Sequence, residues 1–137
     1  MPMLVSGYNA TMLARHILYA QFVVVVLITI LHLSGLENDL YWRFLWLDTV
    51  THAMGGMWAA LFFIWVRTLR GYKLDLAWGI AGALALGIVW ELFELAAGVQ
   101  WEANYVLDTS IDIFMDALGG AFGAFLAILI KKSYGSS

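Results

Sequence analysis

The sequence predicts an all-α integral membrane protein, a four-transmembrane-helix bundle, on three observations. Hydrophobic residues fill 63% of the 137 positions and charged residues 12%, with a mean hydropathy of +0.83, far from the composition of a soluble domain. Four apolar stretches each reach the roughly 20 residues that a spanning helix requires. These stretches consume most of the chain, so a single transmembrane domain over residues 1–137 is the expected organisation.

The first span is expected over about Ile17–Leu36, with His32 close to its far end. It lacks the small-residue cleavage pattern of a signal peptide and three more spans follow, so it is expected to be retained. A polar turn, Glu37–Arg43, leads to the second span, Leu45–Val66, which carries Asp48 and His52 near its start and Gly55 and Gly56 a turn further on. The basic turn Arg67–Lys73 precedes the third span, Leu74–Gly98, whose last part contains Trp90-Glu91-Leu92-Phe93-Glu94. A turn over Val99–Asp108 enters the fourth span, Thr109–Ile130, with Asp112, Asp116, Gly119 and Gly120.

Orientation follows from the basic residues, because cytoplasmic segments carry the excess of Lys and Arg. Arg15, Arg67, Arg70, Lys73, Lys131 and Lys132 fall on one side and Arg43 alone on the other. An inner-membrane protein with both termini cytoplasmic is expected. Trp42, Trp46, Trp90 and Trp101 then belong to the outer interface and Trp65 and Trp78 to the inner one, as amphipathic anchors. On this topology the glycosylation sequon Asn9-Ala10-Thr11 is cytoplasmic and incidental. The absence of cysteine excludes disulfides and thiolate chemistry. A net charge of -3 without a basic stripe argues against nucleic acid.

The polar residues within the spans recur at helical spacing. Residues three or four apart share a helix face: Asp48 with His52, Glu91 with Glu94, and Asp108 with Asp112 and Asp116. All fall in the outer half of the bilayer, joined by His32. An acidic residue at a helix centre carries an insertion penalty of about 2.5–3.5 kcal/mol, and Arg43 is the single basic residue on that side. A bound cation, carboxyl protonation or a water-filled vestibule must compensate. Carboxylates with imidazole suit Zn, Mn, Fe or Ni, and an all-oxygen subset suits Ca or Mg. Asp48, His52, Glu91, Glu94, Asp108, Asp112 and Asp116 are therefore the candidate ligands of a divalent metal ion. For Asp48 and Asp108 the competing reading is N-capping and helix-dipole stabilisation; for the others it is a network tying the helices together. Thr49, Thr51, Thr109 and Ser110 can supply supporting hydroxyls.

An internal echo accompanies this layer. Asp48-x-x-x-His52-Ala-Met-Gly55-Gly56 aligns with Asp112-x-x-x-Asp116-Ala-Leu-Gly119-Gly120 at a constant offset of 64 residues. The second and fourth helices would run in the same direction, with two αα hairpins related by a pseudo-twofold along the membrane normal, as in parallel-repeat transporters. The small residues Gly55 and Ala59, Gly56 and Ala60, Gly79, Ala83 and Gly87, and Gly119 and Gly123 line faces that let helix backbones approach closely.

The segment from Leu45 to Ala127 resembles the YjdF-like family of small bacterial inner-membrane proteins and, more distantly, VanZ-like proteins. Asp48-Thr-Val-Thr-His52, Trp90-Glu91-Leu92-Phe93-Glu94 and Asp108 through Gly120 carry the resemblance. It implies a multi-helix membrane domain with an Asp/His helix, a Glu helix and an Asp helix ending in glycine, and no reaction. The chain departs from the VanZ-like pattern in lacking an arginine before its last acidic helix.

Three functions are compatible with these residues. A cation-binding membrane protein with a site open to the extracytoplasmic side accounts for the acidic layer most directly. A metal-dependent membrane enzyme acting on a lipid-linked substrate is the second, although no nucleophile elbow or basic phosphate clamp is present. An accessory subunit of a larger membrane complex is the third. Expected partners are the lipid bilayer, together with a second copy in a homodimer or a larger membrane assembly.

Overall fold

A computed structural model describes residues 7–98 and 104–134. The described chain is helical throughout its ordered elements: α1 (Gly7–Glu37), α2 (Leu40–Arg43), α3 (Trp46–Leu69), α4 (Leu76–Ala97) and α5 (Tyr105–Tyr134). Four of these, α1, α3, α4 and α5, are long and apolar enough to cross a membrane. Trp101 and the side chain of Asn9 lie outside the described residues.

Helix boundaries extend beyond the apolar runs. α1 begins at Gly7 rather than Ile17, and α5 at Tyr105 rather than Thr109. Hydropathy marks where a helix is apolar, whereas helicity continues through Arg15 and His16 because neither breaks the backbone ladder. His16 donates through Nδ1 to the Met12 carbonyl at 2.8 Å and stacks on Tyr134 with ring centroids 3.7 Å apart, pinning the start of α1 to the end of α5. The polar turn after α1 contains the single-turn helix α2, entered through Asp39 in the left-handed conformation at φ 54°, which aspartate tolerates better than most residues.

The caps differ from those the sequence suggested. Asp48 and Asp108 sit within the first turns of α3 and α5 rather than at the caps. The N-cap position of α3 is Leu45, without a side-chain cap. Asn104 Oδ1 accepts from the Leu107 N–H at 3.3 Å ahead of α5, and Asp75 accepts from the Trp78 N–H to cap α4. A carboxylate inside the first turn still meets the positive end of the helix dipole, so that part of the capping expectation stands. The α3–α4 turn is tied by Arg67, whose Nη2 lies 3.5 Å from Asp75 Oδ2 and whose Nε donates to the Lys73 carbonyl at 3.0 Å.

Glycine determines how the helices cross. A Cβ on Gly56 would collide with the Asp116 backbone, one on Gly119 with the Ala53 carbonyl, and one on Gly123 with the Met57 carbonyl. The contacts of Gly119 with Ala53 and of Gly123 with Met57 advance together along both helices, so α3 and α5 run parallel and touch backbone to backbone. α4 is antiparallel to both: Gly79 packs on Ile64, Gly82 on Phe63, and Ala83 on Gly120. Without a hydrophobic driving force between helices in lipid, such close van der Waals contact is the main source of association. α1 lies against α3 and α5, where Ile17, Leu61 and Ile64 are fully buried. α1 and α4 do not pack on each other among the described residues.

Antiparallel threading gathers Arg15, Arg67, Arg70, Lys73, Lys131 and Lys132 towards one end of the bundle. Arg43, α2, and the acidic parts of α3, α4 and α5 lie towards the other.

Candidate functional site

The site is built at the end of the bundle that α2 covers. α3 carries Asp48 with Thr51 and His52 three and four residues on, and Gly55 four and three residues beyond those two, which places them on one face. His52 is the centre of the arrangement and is 5% exposed. Its Nδ1 lies 3.2 Å from Asp116 Oδ2 on α5 and its Nε2 lies 3.6 Å from Glu91 Oε1 on α4. With Nδ1 protonated, the ring donates to Asp116 and directs the Nε2 lone pair towards α4. This is the carboxylate–imidazole pairing that orients histidine ligands.

Each neighbour is positioned in turn. Asp116 reaches His52 because Gly87 on α4 leaves room for its carboxylate: a Cβ there would collide with Asp116 Oδ2. Glu91 is fixed through its other oxygen, Oε2, which accepts from the Thr109 hydroxyl at 2.7 Å. Thr51 donates to the Asp48 carbonyl at 2.8 Å and lies 3.4 Å from Asp48 Oδ1. The hydroxyls of Thr51 and Thr109 thus support two of the acids.

Two sets of ligand atoms converge within 4.8 Å of one another: Asp48, His52 and Asp112, and His52, Glu91 and Glu94. Such spacing suits one ion about 2.0–2.6 Å from each donor. Three atoms in this region are buried without a hydrogen-bond partner among the described residues: His52 Nε2, Glu91 Oε1 and Asp112 Oδ1. Glu91 and Asp112 are 5% and 2% exposed. Unpaired buried acceptors are expensive, at about 1–3 kcal/mol each and more for charged groups, and satisfied buried polar atoms are the rule. His52 Nε2 and Glu91 Oε1 face each other at 3.6 Å and His52 shares the other set with Asp112, so these atoms mark a place for a cation or for protons.

Of the seven sequence candidates, Asp48, His52, Glu91, Glu94 and Asp112 enter these sets. Asp116 stands behind the imidazole, and Asp108, in the first turn of α5, belongs to neither set. His32 joins the layer differently, through a 2.7 Å contact of its Nδ1 with the Tyr41 hydroxyl. Sequence reading passed over Tyr41 because it sits in the polar turn, where a tyrosine reads as an interface anchor. The tyrosine is buried, and desolvation by that burial raises its phenol above the ordinary value; Thr51 opposes this through a hydrogen bond, while Asp48 and Glu94 reinforce it by their negative charge. A second missed residue is Gly87, whose role as the space beside Asp116 has no signal in a helix rich in small residues.

A cavity of about 570 Å³ opens onto the site between α1 and α4. Its polar floor comprises Asp48, Thr51, His52, Glu94 and Asp116, with His32 and Tyr41 at one edge. Its walls are apolar, with Ile28, Leu33 and Leu36 from α1 facing Leu86, Trp90 and Phe93 from α4. Glu91 and Asp112 lie beneath the floor rather than on it.

No curated protein and no solved structure matches the chain. The family described as "Predicted membrane protein (DUF2238)" matches residues 2–133, nearly the whole length, in agreement with the four long apolar helices. The chain belongs to this family of predicted membrane proteins.

Proposed function

We propose that the chain acts as one transmembrane domain that binds a divalent cation at a buried carboxylate and imidazole site opening to the extracytoplasmic side. His52 and Glu91 are the central ligands, with Asp48, Glu94 and Asp112 completing the donor set and Asp116 orienting the imidazole. The observation that carries this reading is that His52 Nε2, Glu91 Oε1 and Asp112 Oδ1 are buried without a hydrogen-bond partner among the described residues, in residues that belong to two donor sets sharing His52. A cation in either set would satisfy the imidazole together with carboxylates, whereas protonation supplies a donor to one carboxyl at a time. The mixed imidazole and carboxylate set favours Zn, Mn, Fe or Ni over Ca or Mg. The side assignment rests on the clustering of Lys and Arg at the opposite end of the bundle. The YjdF-like resemblance draws on the same acidic helices, and the VanZ-like one carries no part of this reading.

Metal analysis of detergent-purified protein tests it. The expected result is about one equivalent of a transition metal after reloading and dialysis, lost in His52→Asn and in Glu91→Gln and retained in Asp108→Asn. Metal-free wild-type protein after reloading, or equal content in all four proteins, overturns the proposal.

A further inference from the structure

The cavity between α1 and α4 has a chemistry that the cation alone does not explain. Cation-holding residues need no apolar antechamber, yet the floor of the site opens into about 570 Å³ walled by Leu33, Leu36, Leu86, Trp90 and Phe93. That volume lies within the range of about 300–1,000 Å³ typical of small-molecule sites. Leu33, Leu36, Trp90 and Phe93 are also among the exposed apolar residues, so these walls are not packed over by another described element. Because α1 and α4 do not pack together among the described residues, the opening faces sideways.

The division of ligands between floor and interior gives the second half of the argument. Each candidate set combines groups that line the cavity, Asp48, His52 and Glu94, with a group buried beneath it, Asp112 or Glu91. A cation there would be held from below and presented from above, leaving coordination positions towards the cavity, as open catalytic metal sites do. A bound cation also inverts the local preference of an acidic site and makes an anionic oxygen donor welcome.

Gly55 supplies an independent sign that this space is kept open. A Cβ on Gly119, its counterpart at the 64-residue offset, would collide with the Ala53 carbonyl, whereas a Cβ on Gly55 meets nothing within 4 Å. Gly55 lines the cavity. One copy of the glycine closes a helix crossing, and the other leaves a void one turn from His52.

Resting on the cation reading, we infer that this cleft binds a membrane amphiphile by lateral entry, its apolar chain between α1 and α4 and its anionic phosphate head on the open face of the cation. His32 and Tyr41, joined by their 2.7 Å contact, line the same cavity and add polar groups to it.

Tryptophan quenching by bromoundecyl phosphate tests this, with protein in phosphatidylcholine nanodiscs and Trp58 and Trp90 as cavity-lining reporters. Expected is saturable quenching that is at least ten-fold weaker for bromoundecyl trimethylammonium and is not displaced by equimolar inorganic phosphate. Gly55→Leu, which fills the void, abolishes the saturable component while keeping the metal; Leu86→Trp plugs the opposite wall and serves as the second variant. Glu91→Gln loses the metal and weakens quenching at least ten-fold. Unchanged quenching in metal-retaining Gly55→Leu and Leu86→Trp, preference for the ammonium probe, or displacement by inorganic phosphate overturns the amphiphile and leaves the cation reading intact. Metal-free wild-type protein overturns the cation reading instead, and quenching unaffected by metal loss in Glu91→Gln overturns the placement of the head on the cation.

Discussion

Gly55 and Gly119 align in the sequence echo at an offset of 64 residues, and the same substitution at each should have opposite consequences. Glycine to alanine inside a helix gains roughly 0.5–1 kcal/mol from backbone propensity alone. At Gly55 the added methyl meets nothing within 4 Å, so that gain should appear undiminished. At Gly119 it would collide with the Ala53 carbonyl, a backbone atom that can yield only if α3 and α5 move apart. Overpacking typically costs about 1–3 kcal/mol, and a rigid neighbour favours the upper end. The two variants should therefore differ by about 1–3 kcal/mol, or roughly 5- to 150-fold in the unfolding equilibrium, since about 1.4 kcal/mol is tenfold. Reversible unfolding in mixed micelles, followed by circular dichroism, measures the difference. Separation of the helices would also lengthen the 3.2 Å contact between His52 and Asp116, so Gly119→Ala should lose metal affinity and Gly55→Ala should not. Equal stability of the two variants would refute the close α3–α5 crossing and the void beside Gly55 together.

Four further outcomes follow from the site. Asp116→Asn preserves shape but removes the charge behind the imidazole, and loss of such a partner lowers metal affinity by roughly 10- to 100-fold; competition with a chromogenic chelator measures it. Gly87→Ala should give a loss of the same kind, because a methyl there displaces the Asp116 carboxylate, whereas Asp108→Asn should leave affinity unchanged and lower stability by roughly 0.3–1 kcal/mol through the helix dipole. Tyr41 links stability to alkaline pH: its phenol is raised above the usual value by burial, so the folded state holds the proton longer than the unfolded chain. That contribution is fully present below the unfolded phenol value of about 10 and is lost as pH rises through the folded one. Wild-type stability should decline above about pH 10 more steeply than that of Tyr41→Phe, as thermal unfolding over that range would reveal.

The all-α fold with four long apolar helices was legible in the sequence, as was the helical spacing of the polar residues, because neither depends on a single side chain. Hydropathy over a span does not change if one side chain is misjudged, and three- or four-residue spacing puts Asp48 with His52 and Glu91 with Glu94 whatever the neighbours do. The partners across helices were less legible, since they depend on rotation about each helix axis. Asp108, Asp112 and Asp116 look equivalent along α5, yet Asp112 joins a ligand set, Asp116 faces His52, and Asp108 joins neither set. Hydroxyl support by Thr109 could be anticipated, but its pairing with Glu91 on α4 could not. The caps failed for a local reason. Asp followed by Thr reads as a helix start, but both helices begin three residues or so earlier, at Trp46 and Tyr105, where only Asn104 offers a capping oxygen.

The glycines explain why the polar layer lies where α3 and α5 come closest. Ionisable groups in a membrane are tolerable only with partners at fixed positions, and side chains as short as aspartate reach across a helix crossing only when the backbones nearly touch. Gly56 brings α3 onto the Asp116 backbone, Gly119 brings α5 onto Ala53, and Gly87 opens the third side so that the Asp116 carboxylate can turn towards His52. Small residues at the crossing and acids just beyond it are therefore one device: the first fixes the distance at which the second can act. The 64-residue sequence echo contains both parts, and the hydrogen bond between His52 and Asp116, which share a place in its frame, joins α3 to α5 directly. Gly55 departs from this pattern by bordering empty volume, and that departure turns a closed helix crossing into a site with an entrance.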